Sequence, residues 1–85
     1  TGSGTSFSAG VDLWRVLDGG ASYLEDFVPR LSDMLSRVFS FPKPVVAAIN
    51  GHAIAGGCVI ACACDYRIMA DGRGKIGVPE LRVGV

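Results

Sequence analysis

Between Leu24 and Phe39 apolar residues return at Leu24, Phe27, Val28, Leu31, Leu35, Val38 and Phe39, the period of a helix with one wet face. Ser22, with Glu25 three residues later, has the spacing of a capping box at its start. Pro42 and Pro44 end it. Pro29 falls inside the pattern and either kinks the helix or opens a second one at its first position. Upstream, Val11 to Val16 reads as a short helical turn that Asp18-Gly19-Gly20 breaks. Gly2 to Gly10 is small and polar apart from Phe7, which is loop composition.

After Pro44 the pattern changes. Val45-Val46-Ala47-Ala48-Ile49 is a short continuous apolar run rich in β-branched residues, which predicts a buried parallel strand. An Asn50-Gly51 turn follows, and Ala53-Ile54-Ala55 leads to Gly56-Gly57. From Gly57 to Cys64 no breaker intervenes and small residues dominate, as suits a helix packed closely on a sheet. Tyr66 to Ala70 predicts another strand, Asp71 to Gly74 a turn, and Ile76 to Val85 a loop around Pro79 leading toward a further strand. Strand, helix and strand in succession predict an α/β fold.

Composition narrows the function classes. Eight Lys/Arg balance eight Asp/Glu, so the basic surplus of a nucleic-acid binder is missing. A hydrophobic fraction of 49% is too high for a disordered tail. The 85 residues make one domain at most. A chain this short buries only about 60–65% of its unfolded surface, so either a partner surface completes the core or the chain is a piece of something larger. Pro44 to Cys64 carries no Asp, Glu, Lys or Arg over 21 positions, yet Asn50-Gly51-His52 and Gly56-Gly57 divide it into short elements rather than a membrane span. Cys58, Cys62 and Cys64 are too crowded for a disulfide framework and point to a reducing compartment. The expected location is the cytoplasm, or a mitochondrial or peroxisomal matrix in a eukaryote.

Several motifs fail on inspection. Gly2-Ser3-Gly4 would need a third glycine where Phe7 stands, and Gly74-Lys75 lacks both the first glycine and the hydroxyl residue of a P-loop. His52 is the only histidine, and the cysteines lack a second ligand group, so no metal site is expected. No Gly-x-Ser-x-Gly elbow supports a serine nucleophile. Two glycine-containing stretches remain, Phe7 to Leu13 and Asn50 to Cys58. Each could bring backbone N–H groups close to a ligand, and the second runs into a helix start, where unpaired donors collect. Facing each other they would form an oxyanion hole; Gly-Gly before a helix also occurs for tight packing alone.

FSAGVDL (7–13), KPVVAAINGHAIAGGCVIACACDYRIMAD (43–71) and GVPELRVGV (77–85) together closely resemble the crotonase superfamily, the enoyl-CoA hydratases and isomerases. The blocks follow the family's order, and Gly19 to Ser40 is supported by its helical pattern alone. The resemblance implies the crotonase (ClpP-like) α/β fold of stacked ββα units, with residues 1–85 a central part of a single catalytic domain of about 250 residues. The strand Val45–Ile49 is then expected to feed the helix near Gly57. Residues 1–85 in isolation are expected to be poorly stable and inactive.

The resemblance also implies a chemistry. Family members bind an acyl-CoA thioester as substrate, without a further cofactor, and stabilise the enolate formed beside its carbonyl. The two oxyanion donors would be the backbone N–H groups of Val11 and Gly56. Ser8, Ala9, Gly10 and Gly57 would line the substrate and CoA pocket. Of the family's two acid/base carboxylate positions, one is Val59 here and the other is Glu80. Asp12 and Asp65 belong to the motifs but read as caps or loop hydrogen-bond acceptors. One carboxylate suffices to move a double bond, so the expected activity is Δ3-Δ2-enoyl-CoA isomerisation with Glu80 as proton shuttle. Enoyl-CoA hydration in fatty-acid oxidation, or a non-catalytic binding or assembly role, are the alternatives. A homotrimer or dimer of trimers is implied, with no nucleic-acid or membrane partner.

Overall fold

The computed structural model describes residues 1–84; Val85, the end of the expected loop after Ile76, lies outside the described residues. Two small parallel sheets carry the fold. Strands β1 (Ser6–Ser8), β3 (His52–Ile54) and β5 (Ile76–Gly77) form one sheet in the order β1-β3-β5. Strands β2 (Val46–Ile49) and β4 (Tyr66–Met69) pair in register from Val46–Tyr66 to Ile49–Met69 and form the other. Burial alternates along β2, with Ala47 and Ile49 inward, and β3 adds Ala53. Helix α2 (Gly56–Ala63) closes over them through Ala61, and Phe7, Cys64 and Met69 pack around this centre.

The expected strand at Val45–Ile49 is present, but it does not feed the helix directly. At Asn50-Gly51 the chain leaves one sheet, enters the other as β3, and only then starts α2. β2-β3-α2 is therefore one ββα unit, and β4-β5-α3 (Glu80–Val83) repeats the order. Strands of two or three residues are too short to show alternation, which is why Gly2–Gly10 and Ile76 onward read as loops. Their backbone pairing comes from neighbours far along the chain: His52 donates to the Thr5 carbonyl and Ala53 to that of Lys75.

The long helix α1 (Leu13–Phe39) starts nine residues before Ser22. Its cap is Asp12, whose carboxylate accepts from the N–H groups of Trp14 (3.1 Å) and Arg15 (3.2 Å). Gly20 alone departs from helical geometry, with φ 62° and ψ −152°. The expected capping box does not form; the Ser22 hydroxyl donates back to the Gly19 carbonyl instead. Pro29 starts no helix and keeps helical φ/ψ. Arg67 closes the far end of α2, donating to the carbonyls of Ala61, Cys62 and Cys64. Much apolar surface stays uncovered, including Trp14 at 78% and Leu81 at 95% exposure.

Candidate active site

Two turns of backbone converge at the start of α2. The first leaves β1, where the Ser8 hydroxyl accepts from the Gly10 N–H (3.2 Å) and Gly10 takes φ 92°. Asp12 then fixes the chain into α1, so Val11 is pinned between a strand end and a helix cap. The second turn leaves β3 at Ala55. Its N–H donates to the Gly77 carbonyl (2.9 Å) and its carbonyl accepts from Val59 (3.1 Å). With φ 54° and ψ −123°, Ala55 is the one non-glycine with positive φ among the described residues. Such strain, about 1–3 kcal/mol, is held only where the surroundings fix it.

The two turns touch. A β-carbon on Gly10 would lie 3.0 Å from the Gly56 nitrogen, and one on Gly56 would lie 3.9 Å from the Val11 nitrogen. Neither N–H meets a protein acceptor among the described residues, as expected for a loop donor and the first donor of a helix. Gly57 is buried against the Ser8 backbone, where a β-carbon would collide with the Ser8 carbonyl, and borders neither of the two hollows that Val11 and Gly56 share. That contact seats α2 on β1.

Val11 and Gly56 border two hollows. One, about 270 Å³, is bounded by Ala9, Leu13, Ile54, Pro79 and Glu80. Glu80 opens α3, and its Oε2 is buried without a hydrogen-bond partner among the described residues. An unpaired carboxylate oxygen in such surroundings is costly unless a ligand or water uses it. The other hollow, about 350 Å³, lies beneath α1 and includes Ser8 and Gly10. Ser8 and Ala9, adjacent in sequence, thus border different hollows, Ser8 at the end of β1 and Ala9 just beyond it.

Val59 sits on the outer face of α2 at 39% exposure. On one flank Cys58 lies beside Glu80: burial, then Cys62, then the Glu80 charge push the Cys58 thiol upward, while the Gly77 backbone N–H opposes them. Asp65 accepts from the Val45 N–H (2.8 Å), and His52 Nδ1 accepts from that of Lys75 (3.1 Å), so both serve the scaffold. No group of three metal-ligating side chains converges among the described residues, and none of the described helices is long and apolar enough to cross a membrane.

Ala55 and Asn50 carry no chemical signal in the sequence, yet the geometry depends on both. Asn50 Oδ1 accepts from Gly2, and Nδ2 donates to the carbonyls of Gly4 and Ser6. An Asn-Gly pair predicts a turn but not what its side chain clamps.

Stacked ββα units bring two backbone donors to a helix start beside a buried carboxylate, an arrangement that can hold a developing oxyanion and move a proton next to it. The enoyl-CoA hydratase/isomerase family model matches residues 1–85, and the chain belongs to that family. An enoyl-CoA isomerase/hydratase of Mycosarcoma maydis is 40% identical over 83 residues, which cover 98% of this chain and 30% of that one. The mitochondrial enoyl-CoA delta isomerase 1 of Mus musculus is 35% identical over 80 residues, covering 93% of this chain and 28% of its own. The crystal structure of an enoyl-CoA hydratase from Bacillus anthracis superposes with a TM-score of 0.91 at 34% identity, over 100% of this chain and 33% of that one. The fold is thus the crotonase fold, and the chain spans about a third of the length of the relatives it matches.

Proposed function

We propose that the protein moves the double bond of a 3-enoyl-CoA thioester to the 2-position. The observation that carries this reading is that Glu80 is the one carboxylate lining the smaller of the two hollows that Val11 and Gly56 border; Asp12, beside the other, is committed to capping α1, and Val59 offers no second acid or base. With the thioester oxygen between the two N–H groups, Glu80 takes a proton from C2. The electron pair moves onto the oxygen, giving a dienolate. As the C2–C3 double bond forms, the same carboxyl returns the proton to C4, and the carboxylate is regenerated. Backbone donors are already in place, so little reorganisation is needed as charge develops, and each is worth about 3–4 kcal/mol in the transition state. Hydration would need a group to orient water opposite Glu80, and Val59 cannot hydrogen-bond. The CoA thioester is the substrate and no further cofactor is invoked. The assembly proposed is a homotrimer or a dimer of trimers, which light scattering of the full-length protein checks.

The test is the full-length protein on 3-enoyl-CoA and, separately, on 2-enoyl-CoA in water. Isomerisation should dominate, and Glu80→Gln should reduce it by a factor of about 100 or more. Dominant hydration would select the hydratase reading, and no turnover of either thioester would select a binding or assembly role.

A further inference from the structure

The chemistry proposed above leaves the long helix α1 unused, yet its inner face lines the hollow beneath it. Tyr23, Phe27, Leu31 and Ile60 run along that hollow from Val11 and Gly56. Tyr23 and Phe27, one helical turn apart, stack with ring centroids 5.5 Å apart and planes inclined by 12°. The glycine break supports this pair. Gly20 supplies the positive φ, and Gly19 lies directly under Tyr23, where a β-carbon would clash with that side chain. The ring therefore rests on bare backbone on one side and on Phe27 on the other.

Helix α2 shows which way this wall faces. At 3.6 residues per turn, Gly57 and Ala61 point into the core, Cys58 lies on the flank of Glu80 and Ile60 on the flank of α1. Val59 points outward between the two flanks. The two hollows meet at the start of α2, where Val11 and Gly56 border both, with Glu80 in one and the aromatic pair in the other.

We infer that Tyr23, held in place by Gly19 and Phe27, sets the length of acyl chain that the site accepts. The inference rests on the enoyl-CoA reading and names the substrate class within it: straight apolar acyl chains short enough to end against the stacked rings. A close-packed aromatic wall yields poorly to extra methylenes, and each mismatched methylene in an apolar pocket changes selectivity by about tenfold or more.

The experiment measures binding of saturated acyl-CoAs from butanoyl to dodecanoyl, none of which can isomerise, to the full-length protein by calorimetry. Wild type should show a maximum in affinity at an intermediate length. Tyr23→Ala should move that maximum to longer chains and raise the decanoyl-to-butanoyl affinity ratio about tenfold. Gly19→Ala, which displaces the ring without removing it, should move the maximum in the same direction, and Tyr23→Phe should keep it in place. If Tyr23→Ala changes every chain length and free CoA by one common factor, the wall serves the CoA arm or the scaffold, and the inference is overturned. An unmoved maximum in both Tyr23→Ala and Gly19→Ala overturns the inference while leaving the enoyl-CoA reading intact. Failure of wild type to bind any acyl-CoA overturns both.

Discussion

Gly10→Ala is the sharpest probe of the two-donor geometry. Its new β-carbon would stand 3.0 Å from the Gly56 nitrogen and 3.1 Å from both the Ile54 carbonyl oxygen and the Ala55 β-carbon. All three neighbours are backbone or a stub fixed to it, so no flexible side chain can move aside. The φ of 92° adds strain of about 1–3 kcal/mol for a residue with a β-carbon. The relief available is a shift of the Phe7–Val11 turn away from α2, which takes the Val11 N–H out of range. Losing one oxyanion donor lowers kcat by a factor of about 100–1,000. Because the donor acts chiefly on the developing charge, KM should change far less. Gly4→Ala is the matched control, with φ 63° and no atom within 4 Å of the added carbon. It should cost about 1–2 kcal/mol of stability through backbone strain and leave kcat near wild type. Steady-state isomerisation kinetics of both full-length variants, with a thermal melt of each, decide the matter. A folded Gly10→Ala protein whose kcat stays within about fivefold of wild type would refute the assignment of Val11 as a donor.

Other consequences are open to direct measurement. Asp12→Ala removes the α1 cap and should cost about 1 kcal/mol, a drop of about 2–4 °C in the Tm of a protein of family size; an unchanged Tm would mean the cap hydrogen bonds add nothing. Cys58 should alkylate only at pH values above the ordinary thiol range, since burial, Cys62 and Glu80 all oppose its thiolate. Glu80→Gln removes one of those negative influences, so the alkylation midpoint of Cys58 should move down in pH. A midpoint that stays put in peptide-mapped alkylation would place Glu80 away from Cys58.

The β2 strand, α2 and β4 were legible because each is a continuous apolar or small-residue run bounded by turn chemistry, long enough to declare its type. β1, β3 and β5 were not, since the burial of Ala53 and the pairing of Ser8 depend on partners more than 20 residues away. Asp18-Gly19-Gly20 reads as a stop, so the sequence pattern puts the start of the long helix too late. Asp12 caps an earlier turn, and only Gly20 breaks ranks within the helix. At the site, spacing singles out two glycine-containing stretches, and only the family resemblance implies Val11, Gly56 and Glu80 as chemical groups. Neither could show that Gly10 brings the two turns into contact, or that an alanine, Ala55, takes the strained conformation before Gly56. Side-chain identity is silent when the demand falls on φ and ψ.

The Asn50 clamp has a further consequence for how such a protein can change. Its hydrogen bonds bridge 44 to 48 positions of sequence and, with β1–β3 pairing, pin both ends of the excursion that contains α1. Doubling the length of a loop whose ends are already tied costs only about 0.6 kcal/mol. Insertions or replacements inside α1 therefore leave Gly10 against Gly56. On the proposed reading, the reacting centre and the wall that measures the substrate lie on segments joined at two fixed points. On that reading, a lineage could exchange one acyl chain for another by rewriting the excursion while the contact of Gly10 with Gly56 is inherited unchanged.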